Sequence, residues 1–414
     1  MSRRRLLIAH PGATSLLYPL VALLQRMDLE VRFETLFYDR PGDTLHRLAR
    51  ILPGRIGAKL ARELGRRSHP EIDPARVATA PFSELVHIAS ARLLSPATTA
   101  AVLRWRNARF DARVAAMIRR ERPDFFIGFD GSAEQSFQAC RASGTISLLY
   151  QAIGHLRSGL RTLTEERRLS PEFAGVSFGD TSEEWIARNA HEALLADRVV
   201  VPSEYVRDTM IENGRDAATI DLLPFPIDVA RFTPATAPRD DGRLRALFVG
   251  QIGLRKGVKY ILEAARKLAR PDVEVVLVGG VVDGTEWLKR YDGLYRHVAN
   301  VPYAEMPAIF RAADVFVFPS LHEGSAMAVN EALASGLPAI VTANAGAIVR
   351  DGIEGFVVPL RDADTVADRL ALLADDPALR RRMAAAARQR AEAHDAAAYA
   401  ARLGALLDRL KPPA

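Results

Sequence analysis

Two carboxylates, Glu323 and Glu331, interrupt the stretch "HEGSAMAVNEALASG", whose residues are otherwise mostly small and uncharged. The preceding run "DVFVFPS" predicts a strand, and "MAVNEALASG" predicts a helix that opens after three small residues. Small side chains at a helix N-terminus let a ligand approach the backbone N–H groups closely. This pattern is typical of a site for an anionic ligand.

The spacing of the two carboxylates separates them around the helix axis. Eight residues at 100° each place Glu323 and Glu331 roughly 80° apart. We therefore expect them to reach two parts of one extended ligand, since carboxylates accept hydrogen bonds from the diols of a sugar ring or a ribose. The alternatives are an acid favoured by the helix dipole at Glu323 and a solvated helix face at Glu331.

A second cluster lies in "RALFVGQIGLRKGVKYILEAARKLA", residues 245–269. A strand ends there, a loop with Gly253 and Gly257 follows, and a helix opens near Val258, with Arg255 and Lys256 at its mouth. Cations are misplaced at the positive end of a helix unless an anion such as a phosphate lies between them and the N–H groups. The chain has 50 Arg and 6 Lys, so Lys256 is an unusual choice. The alternative is an exposed basic turn.

Short apolar runs must position these loops. Most are apolar on both faces, as buried parallel strands are, and most precede a helical pattern. This alternation predicts an α/β protein with right-handed crossovers. The predicted strands are "RLLIAH", "VRFETLF", "FFIGFD", "ISLLYQA", "RVVVPS", "RALFVG", "VEVVLVGG", "VFVFPS", "PAIVTA" and "GFVVP".

A proline-rich segment divides the chain. "PFPIDVARFTPATAPRDDGR" holds four prolines and a charge cluster before the strand "RALFVG", which indicates a linker. We place the first domain at 1–224, the linker at 225–242 and the second domain at 243–395. The C-terminal helix, about 396–414, is expected to cross back to the first domain.

Three segments together resemble the family-4 retaining glycosyltransferases: "LFVGQIGLRKGVKYILEA", "VVVPSEYVRDTMIENG" and the stretch from "RAADVFVFPS" to "GFVVP". The resemblance covers about 198–400 well and the first 200 residues weakly. It implies the GT-B fold, in which two Rossmann-like doubly wound domains face a cleft that holds a nucleotide-diphosphate sugar.

The resemblance also implies roles for residues that match the family's motifs. Glu323 would contact the transferred sugar and Glu331 the ribose. His155, which follows a strand, resembles the family's catalytic histidine, with a structural or exposed histidine as the alternative. Gly12, in "HPGAT", would contact the acceptor. The donor diphosphate and sugar phosphate would be bound by Gly253, Arg255 and Lys256 and by the N–H groups of Ser325, Ala326 and Met327.

Two segments depart from the family's common pattern. Ser325, Ala326 and Met327 replace the last three residues of E-G-F-G-L, which leaves the donor sugar open. Pro226 stands where a glycine is usual before "ID".

The implied activity is retaining transfer of a hexosyl unit from the donor to a saccharide or lipid-linked acceptor, in surface polysaccharide synthesis. We expect no cofactor and no metal. "DAD" at 362–364 could imitate a metal motif, but its place before a helix favours a cap. The alternatives are a non-catalytic nucleotide-sugar-binding scaffold and a nucleotide-sugar epimerase of the same fold.

The composition indicates where in the cell the protein is expected. One cysteine, Cys140, indicates a reducing, cytoplasmic location, and no apolar run is long enough to span a membrane. The N-terminal sequence could imitate a signal peptide, but "HPGAT" interrupts its apolar run, so a strand, a turn and a helix are expected.

The net charge of +6 is concentrated at one end of the chain. Residues 1–123 carry 22 Lys and Arg against 11 Asp and Glu, a net of +11. We expect no nucleic-acid partner. Basic helical stretches at 46–67 and 104–123 favour an anionic membrane surface at the inner face, or a solvated basic surface.

Overall fold

A computed structural model describes residues 3–12, 17–40, 67–173, 175–176, 178, 181–237, 241–299 and 301–410, and the elements below are numbered over these residues. Nearly all of the basic stretch predicted at 46–67 lies outside them. The described residues form two parallel sheets. No helix among them is long and apolar enough to cross a membrane.

The first sheet has seven strands in the order β3-β2-β1-β4-β5-β6-β7. Successive residues of a strand point to opposite faces. Leu6 and Ile8 of β1 therefore enter one core, and Leu7 and Ala9 enter the other. The strands are β1 (Arg4–Ala9), β2 (Leu29–Thr35), β3 (Val77–Thr79), β4 (Phe125–Phe129), β5 (Ile146–Tyr150), β6 (Arg198–Val201) and β7 (Ile220–Leu222).

The second sheet has six strands in the order β10-β9-β8-β11-β12-β13. Phe316 of β11 is paired with Leu247 of β8 on one side and Ala339 of β12 on the other. The strands are β8 (Leu244–Val249), β9 (Val273–Val278), β10 (Arg296–Val298), β11 (Val315–Phe318), β12 (Ala339–Thr342) and β13 (Gly355–Val358).

Helices cover both faces of each sheet, which confirms the predicted doubly wound arrangement. They are α1 (Leu17–Arg26), α2 (Phe82–Leu93), α3 (Pro96–Glu121), α4 (Glu134–Ser143), α5 (Leu156–Leu169), α6 (Glu183–Leu195), α7 (Glu204–Glu212), α8 (Val258–Leu268), α9 (Met306–Arg311), α10 (Met327–Ala334), α11 (Ala363–Asp375), α12 (Pro377–Glu392) and α13 (Ala396–Arg409). Asp362 caps α11 by accepting a hydrogen bond from Thr365 N at 2.9 Å, as predicted for "DAD".

The C-terminal helix α13 packs on the first domain. Its apolar residues, including Leu403 and Leu407, join the core under β1. The guanidinium of Arg4 bonds Asp408 at 2.6 Å. The chain therefore passes between the domains twice, and the two passages lie side by side where Ile227 N donates to His394 O at 3.0 Å.

Helix α5 connects the first half of the chain to the second core. Leu163 of α5 and Phe173 just after it are buried among second-domain residues. The carboxylate of Glu166, 1% exposed, accepts hydrogen bonds from Tyr260 at 2.8 and 2.9 Å and from Arg361 at 2.8 Å. These contacts fix the two domains against each other on one side of the cleft.

Candidate active site in the interdomain cleft

The second sheet reverses its strand order between β8 and β11, and ligands of open α/β sheets bind at such a reversal. The loops that follow these two strands lie side by side. Leu321 N and Ser320 Oγ both donate to the carbonyl of Arg255, at 2.9 and 3.0 Å. The two clusters that the sequence singled out are thus brought together at the carboxyl edge of one sheet.

Arg255 and Lys256 converge on one carboxylate. Both donate to Oε1 of Glu323, with Lys256 Nζ at 2.5 Å. The side chain of Lys256 is 13% exposed and that of Arg255 is 34% exposed. Burial lowers the pKa of Lys256, and the charge of Glu323 opposes that shift. Arg255, Lys256 and Glu323 together carry one net positive charge, and the carboxylate of Asp283 lies on the same side of the cavity.

Glycines shape the loop that carries these cations. A Cβ on Gly253 would overlap the carboxylate of Asp283, which accepts a hydrogen bond from Leu254 N at 2.5 Å. Gly257 has φ +67° and lies against the carbonyl of Pro319. A side chain at either position would displace the loop, because a β-carbon has no room there.

His155 faces the same cleft from the first domain. It precedes α5, where its Nδ1 accepts a hydrogen bond from Arg157 N at 3.3 Å, and its own N–H donates to Thr209 Oγ1 at 3.0 Å. Burial, assisted by the charge of Arg157, lowers the pKa of His155 to about 4. The imidazole is therefore neutral near pH 7.

These residues line a cavity of about 550 Å³ between the domains, a size typical of ligand sites. From the second domain come Gln251, Gly253, Arg255, Lys256, Val282, Asp283 and His322. From the first domain come Asp130, Gly131, Gln151, Ile153, Gly154, His155, Leu156, Gly159, Leu160, Leu163, Val176, Phe178, Trp185 and Asn189. Four predicted residues, Gly253, Arg255, Lys256 and His155, are among them.

The small residues after Glu323 lie against the first domain and the second core. A Cβ on Gly324 would overlap the carbonyl of Ala152, so the group that approaches this glycine is first-domain backbone. The N–H of Ala326 donates to Ala345 O at 3.1 Å, and Met327 packs against the first core. In this arrangement Ser325, Ala326 and Met327 do not line the cavity.

Glu331 lies apart from Glu323 on α10. Its Oε1 accepts a hydrogen bond from Tyr303 at 2.9 Å, and burial raises its pKa to about 7. Arg231 lies over the ring of Tyr303 at 4.9 Å. Neither Glu331 nor Glu323 is among the residues that line the cavity, and the two carboxylates have different partners.

Gly12 also lies outside the cavity lining. Its N–H and carbonyl contact Nδ1 of His10 at 3.0 and 2.5 Å. No group of three or more His, Cys, Asp or Glu is clustered as a metal site among the described residues.

The residues that carry this arrangement match a known family. Residues 231–390 match the family of glycosyl transferases group 1. The second domain is therefore similar to the group 1 glycosyl transferases. This domain contains both loops that hold Arg255, Lys256 and Glu323, whereas His155 lies outside the matched residues.

Curated relatives of the chain carry several names. A D-inositol 3-phosphate glycosyltransferase of Pseudarthrobacter chlorophenolicus is 33% identical over 199 residues, which are 43% of this chain and 47% of that protein. A glycogen synthase of Mycobacterium tuberculosis is 31% identical over 222 residues, which are 50% of this chain and 51% of that protein. The chain thus spans about half the length of the curated relatives it matches.

Solved structures extend the likeness to the whole chain. HepE of Anabaena in complex with UDP and glucose covers 99% of this chain and 100% of its own, with a TM-score of 0.63 at 14% identity. Sucrose-phosphate synthase of Thermosynechococcus elongatus covers 98% and 99%, with a TM-score of 0.65 at 18% identity. The predicted GT-B fold is therefore confirmed.

Several cleft residues beside the group 1 loops were not predicted. His322 contributes its ring from the second domain, and Tyr205 from the first domain bonds it. The two glycines Gly154 and Gly159 could have indicated that another group packs against this segment, because both leave room for the ring of His322. Asp130 and Trp185 lie in parts of the chain that matched no familiar motif.

Proposed function

We propose that the chain is a glycosyltransferase that moves a hexosyl unit from a nucleotide-diphosphate sugar to a saccharide or lipid-linked acceptor. The observation that carries the proposal is the convergence of Arg255 and Lys256 on Glu323 in the cleft, within the residues that match the group 1 glycosyl transferases. Two cations at the carboxyl edge of the sheet suit a diphosphate.

The leaving group explains why such cations help. Negative charge builds on the diphosphate as its bond to the sugar breaks, and preorganised donors stabilise that charge without reorganising. The single net positive charge of the cluster is available to the diphosphate. We propose that the phosphate oxygens take over Arg255 and Lys256 while the carboxylate of Glu323 turns to the hydroxyls of the sugar.

The remaining roles follow the same geometry. His155 faces the cations across the cleft, so the sugar would lie between them, with its reacting carbon near this histidine. Glu331, beside Tyr303, would bind the ribose of the donor. Gly12 would contact the acceptor only if the acceptor is large, because Gly12 lies outside the cavity lining.

Retention of configuration and independence from metal belong to the proposal. Support comes from the resemblance to family-4 enzymes and from the two cations placed where a metal would otherwise neutralise the diphosphate. The setting we propose is surface polysaccharide synthesis in the cytoplasm, with peripheral attachment to the inner face of the membrane.

The decisive experiment isolates the product and assigns its anomeric configuration. A screen of UDP-, GDP- and dTDP-sugars by thermal shift first identifies the donor, since a tight ligand raises the melting temperature by mass action. A new glycosidic bond with the donor's configuration supports the proposal. Binding without turnover would favour a scaffold, and a free epimerised nucleotide sugar would favour an epimerase.

A further inference from the structure

The first sheet also reverses its strand order, between β1 and β4. The loop after β4 begins with Asp130 and Gly131, and both line the cavity opposite the cations. Ligands bind at such reversals in open α/β sheets. The point where the first sheet reverses its strand order therefore faces the cleft. Its residues lie outside the group 1 match at 231–390.

Helix α6 holds this loop in place. The buried carboxylate of Glu192 accepts hydrogen bonds from Gly131 N at 2.5 Å and from Ala133 N. Gly131 has φ +81°, and a Cβ there would lie 3.1 Å from the ring of Trp185. The half-buried indole thus packs beside Asp130 with part of its surface in the cleft.

Asn189 lies one turn after Trp185 on the same face of α6. Its Nδ2 donates to Trp185 O at 2.8 Å, and its Oδ1 lies 3.8 Å from the position that a Cβ on Gly131 would take. The amide oxygen therefore lies near the backbone of Gly131, the residue after Asp130. A carboxylate, an aromatic ring and an amide thus belong to residues of one wall of the cavity.

The charge of this wall favours uncharged acceptors over phosphorylated ones. Of the described first-domain residues that line the cavity, none is Lys or Arg, and Asp130 is the single carboxylate. A phosphate placed here would meet a partly desolvated negative charge with no cation on its own side. Sugar and polyol hydroxyls would instead donate to Asp130 and Asn189 while their C–H face covers the indole.

We propose that Asp130, Trp185 and Asn189 form the acceptor subsite, and that it takes an uncharged hydroxylated ring, a sugar or cyclic polyol, in preference to a phosphorylated one. The proposal rests on the transferase function proposed above and names its acceptor class. It separates this chain from relatives named D-inositol 3-phosphate glycosyltransferase.

The fluorescence of Trp185 can report binding at this subsite. The chain has three tryptophans, of which Trp105 is exposed and Trp287 is buried in the second core. In a Trp105→Phe protein, changes in indole fluorescence report Trp185 over a constant background from Trp287. The probes are methyl glucoside and myo-inositol against glucose 6-phosphate at matched ionic strength and about pH 8, because burial raises the pKa of Asp130 to about 6.

The expected result is a saturable fluorescence change with at least one uncharged probe and at least tenfold weaker binding of glucose 6-phosphate. Asp130→Asn weakens binding of the uncharged probe about tenfold, as the loss of a hydrogen bond to a charged acceptor does. The difference in affinity between the uncharged and the phosphorylated probe therefore becomes smaller. Trp185→Phe abolishes the signal, and calorimetry should then show the uncharged probe still bound. Equal or tighter binding of the phosphorylated probe, or no saturable response to either uncharged probe, overturns the proposal.

A second variant separates this proposal from the transferase function. Lys256→Ala should leave the response to the uncharged probe unchanged, because Lys256 lies on the opposite wall. If neither the wild type nor any variant binds a nucleotide diphosphate, the donor site is rejected, whatever the sugar titration shows. A response that depends on Lys256 but not on Asp130 would place the probe in the donor site and reject the acceptor subsite.

Discussion

The hydroxyl oxygen of Tyr205 lies 2.7 Å from Nδ1 of His322, and this contact joins the first domain to the second across the cleft. Gly154 and Gly159 enclose the rest of the ring, since a Cβ on either would collide with it. Burial, assisted by the charge of Arg255, lowers the pKa of His322 to about 4. At neutral pH the phenol therefore donates to a neutral imidazole.

This contact should make stability depend on pH. The folded-state pKa of His322 lies below its ordinary value of 6.5. The unfolded chain therefore takes up the proton first, and the stabilisation present above pH 6.5 is lost as the pH falls towards 4. Between pH 7 and pH 5 we expect the stability gap between wild type and His322→Gln to shrink by about 2 kcal/mol. Urea midpoints measure this, and a gap that stays constant would contradict it.

Lys256→Ala and Glu331→Ala should lose donor affinity and keep the fold. Lys256 is mostly buried and paired with Glu323, so its removal leaves Arg255 as the one cation beside Glu323 and should cost about 2–4 kcal/mol of binding. Calorimetry with the cognate nucleotide diphosphate measures the loss. The matched control is Lys289→Ala, an exposed lysine paired with Glu286. Unchanged affinity in both site variants would reject the donor assignment.

Glu323→Gln should separate binding from transfer. The carboxylate occupies Arg255 and Lys256, so its charge competes with a diphosphate for them. With the isosteric amide we expect nucleotide-diphosphate affinity to rise about tenfold, or about 1.4 kcal/mol, while the transfer rate falls at least a hundredfold. Isothermal titration and initial rates test the two parts, and weaker diphosphate binding would show that Glu323 only orients the cations.

Transfer should continue without divalent metal. Arg255 and Lys256 supply the positive charge that a metal would bring to the leaving diphosphate. Initial rates are measured after dialysis against EDTA and again after Mg²⁺ or Mn²⁺ is added. Activity that vanishes with EDTA and returns with either ion would refute this prediction.

The first domain should bind anionic vesicles. Residues 1–123 carry the net charge of +11, and helix α3 exposes Trp105 with the guanidinium of Arg109 6.0 Å from its ring centre. Each near-surface arginine contributes about 1 kcal/mol on acidic lipid. We expect co-sedimentation with phosphatidylglycerol vesicles at low salt and release at high salt.

Variants locate the membrane contact. Trp105→Ala with Arg109→Gln should weaken vesicle binding, whereas Arg382→Gln, exposed on α12 of the second domain, should not. Protein that stays in the supernatant with acidic vesicles at low salt would favour a soluble acceptor.

The sequence predicted most of the fold because most strands are buried on both faces. All ten predicted strands are present. The three it missed, Val77–Thr79, Ile220–Leu222 and Arg296–Val298, have three residues each and lie at sheet edges. Such short strands carry too few residues for a recognisable pattern, and pairing with a neighbour defines them.

The candidate site was predictable where one loop holds its own signal. Arg255 and Lys256 stand beside a glycine turn and a helix start, so their place at the edge of the cleft could be inferred locally. The contact of Gly324 with Ala152 joins residues far apart in the chain, and a glycine leaves the same trace in sequence whether a ligand or another backbone approaches it. The wall formed by Asp130 and Trp185 likewise depends on the packing of two distant segments.

The attachment of α5 to the second core constrains how this chain can be rearranged. Leu163 and Phe173 are encoded before the linker, yet they complete the apolar interior of the domain that follows it. A fragment that begins at the linker would expose the surface these side chains cover, and an acceptor half transplanted from another protein would need a matching helix. An exchange of halves between proteins therefore has to keep α5 together with the second core, and a junction at the linker alone would separate them.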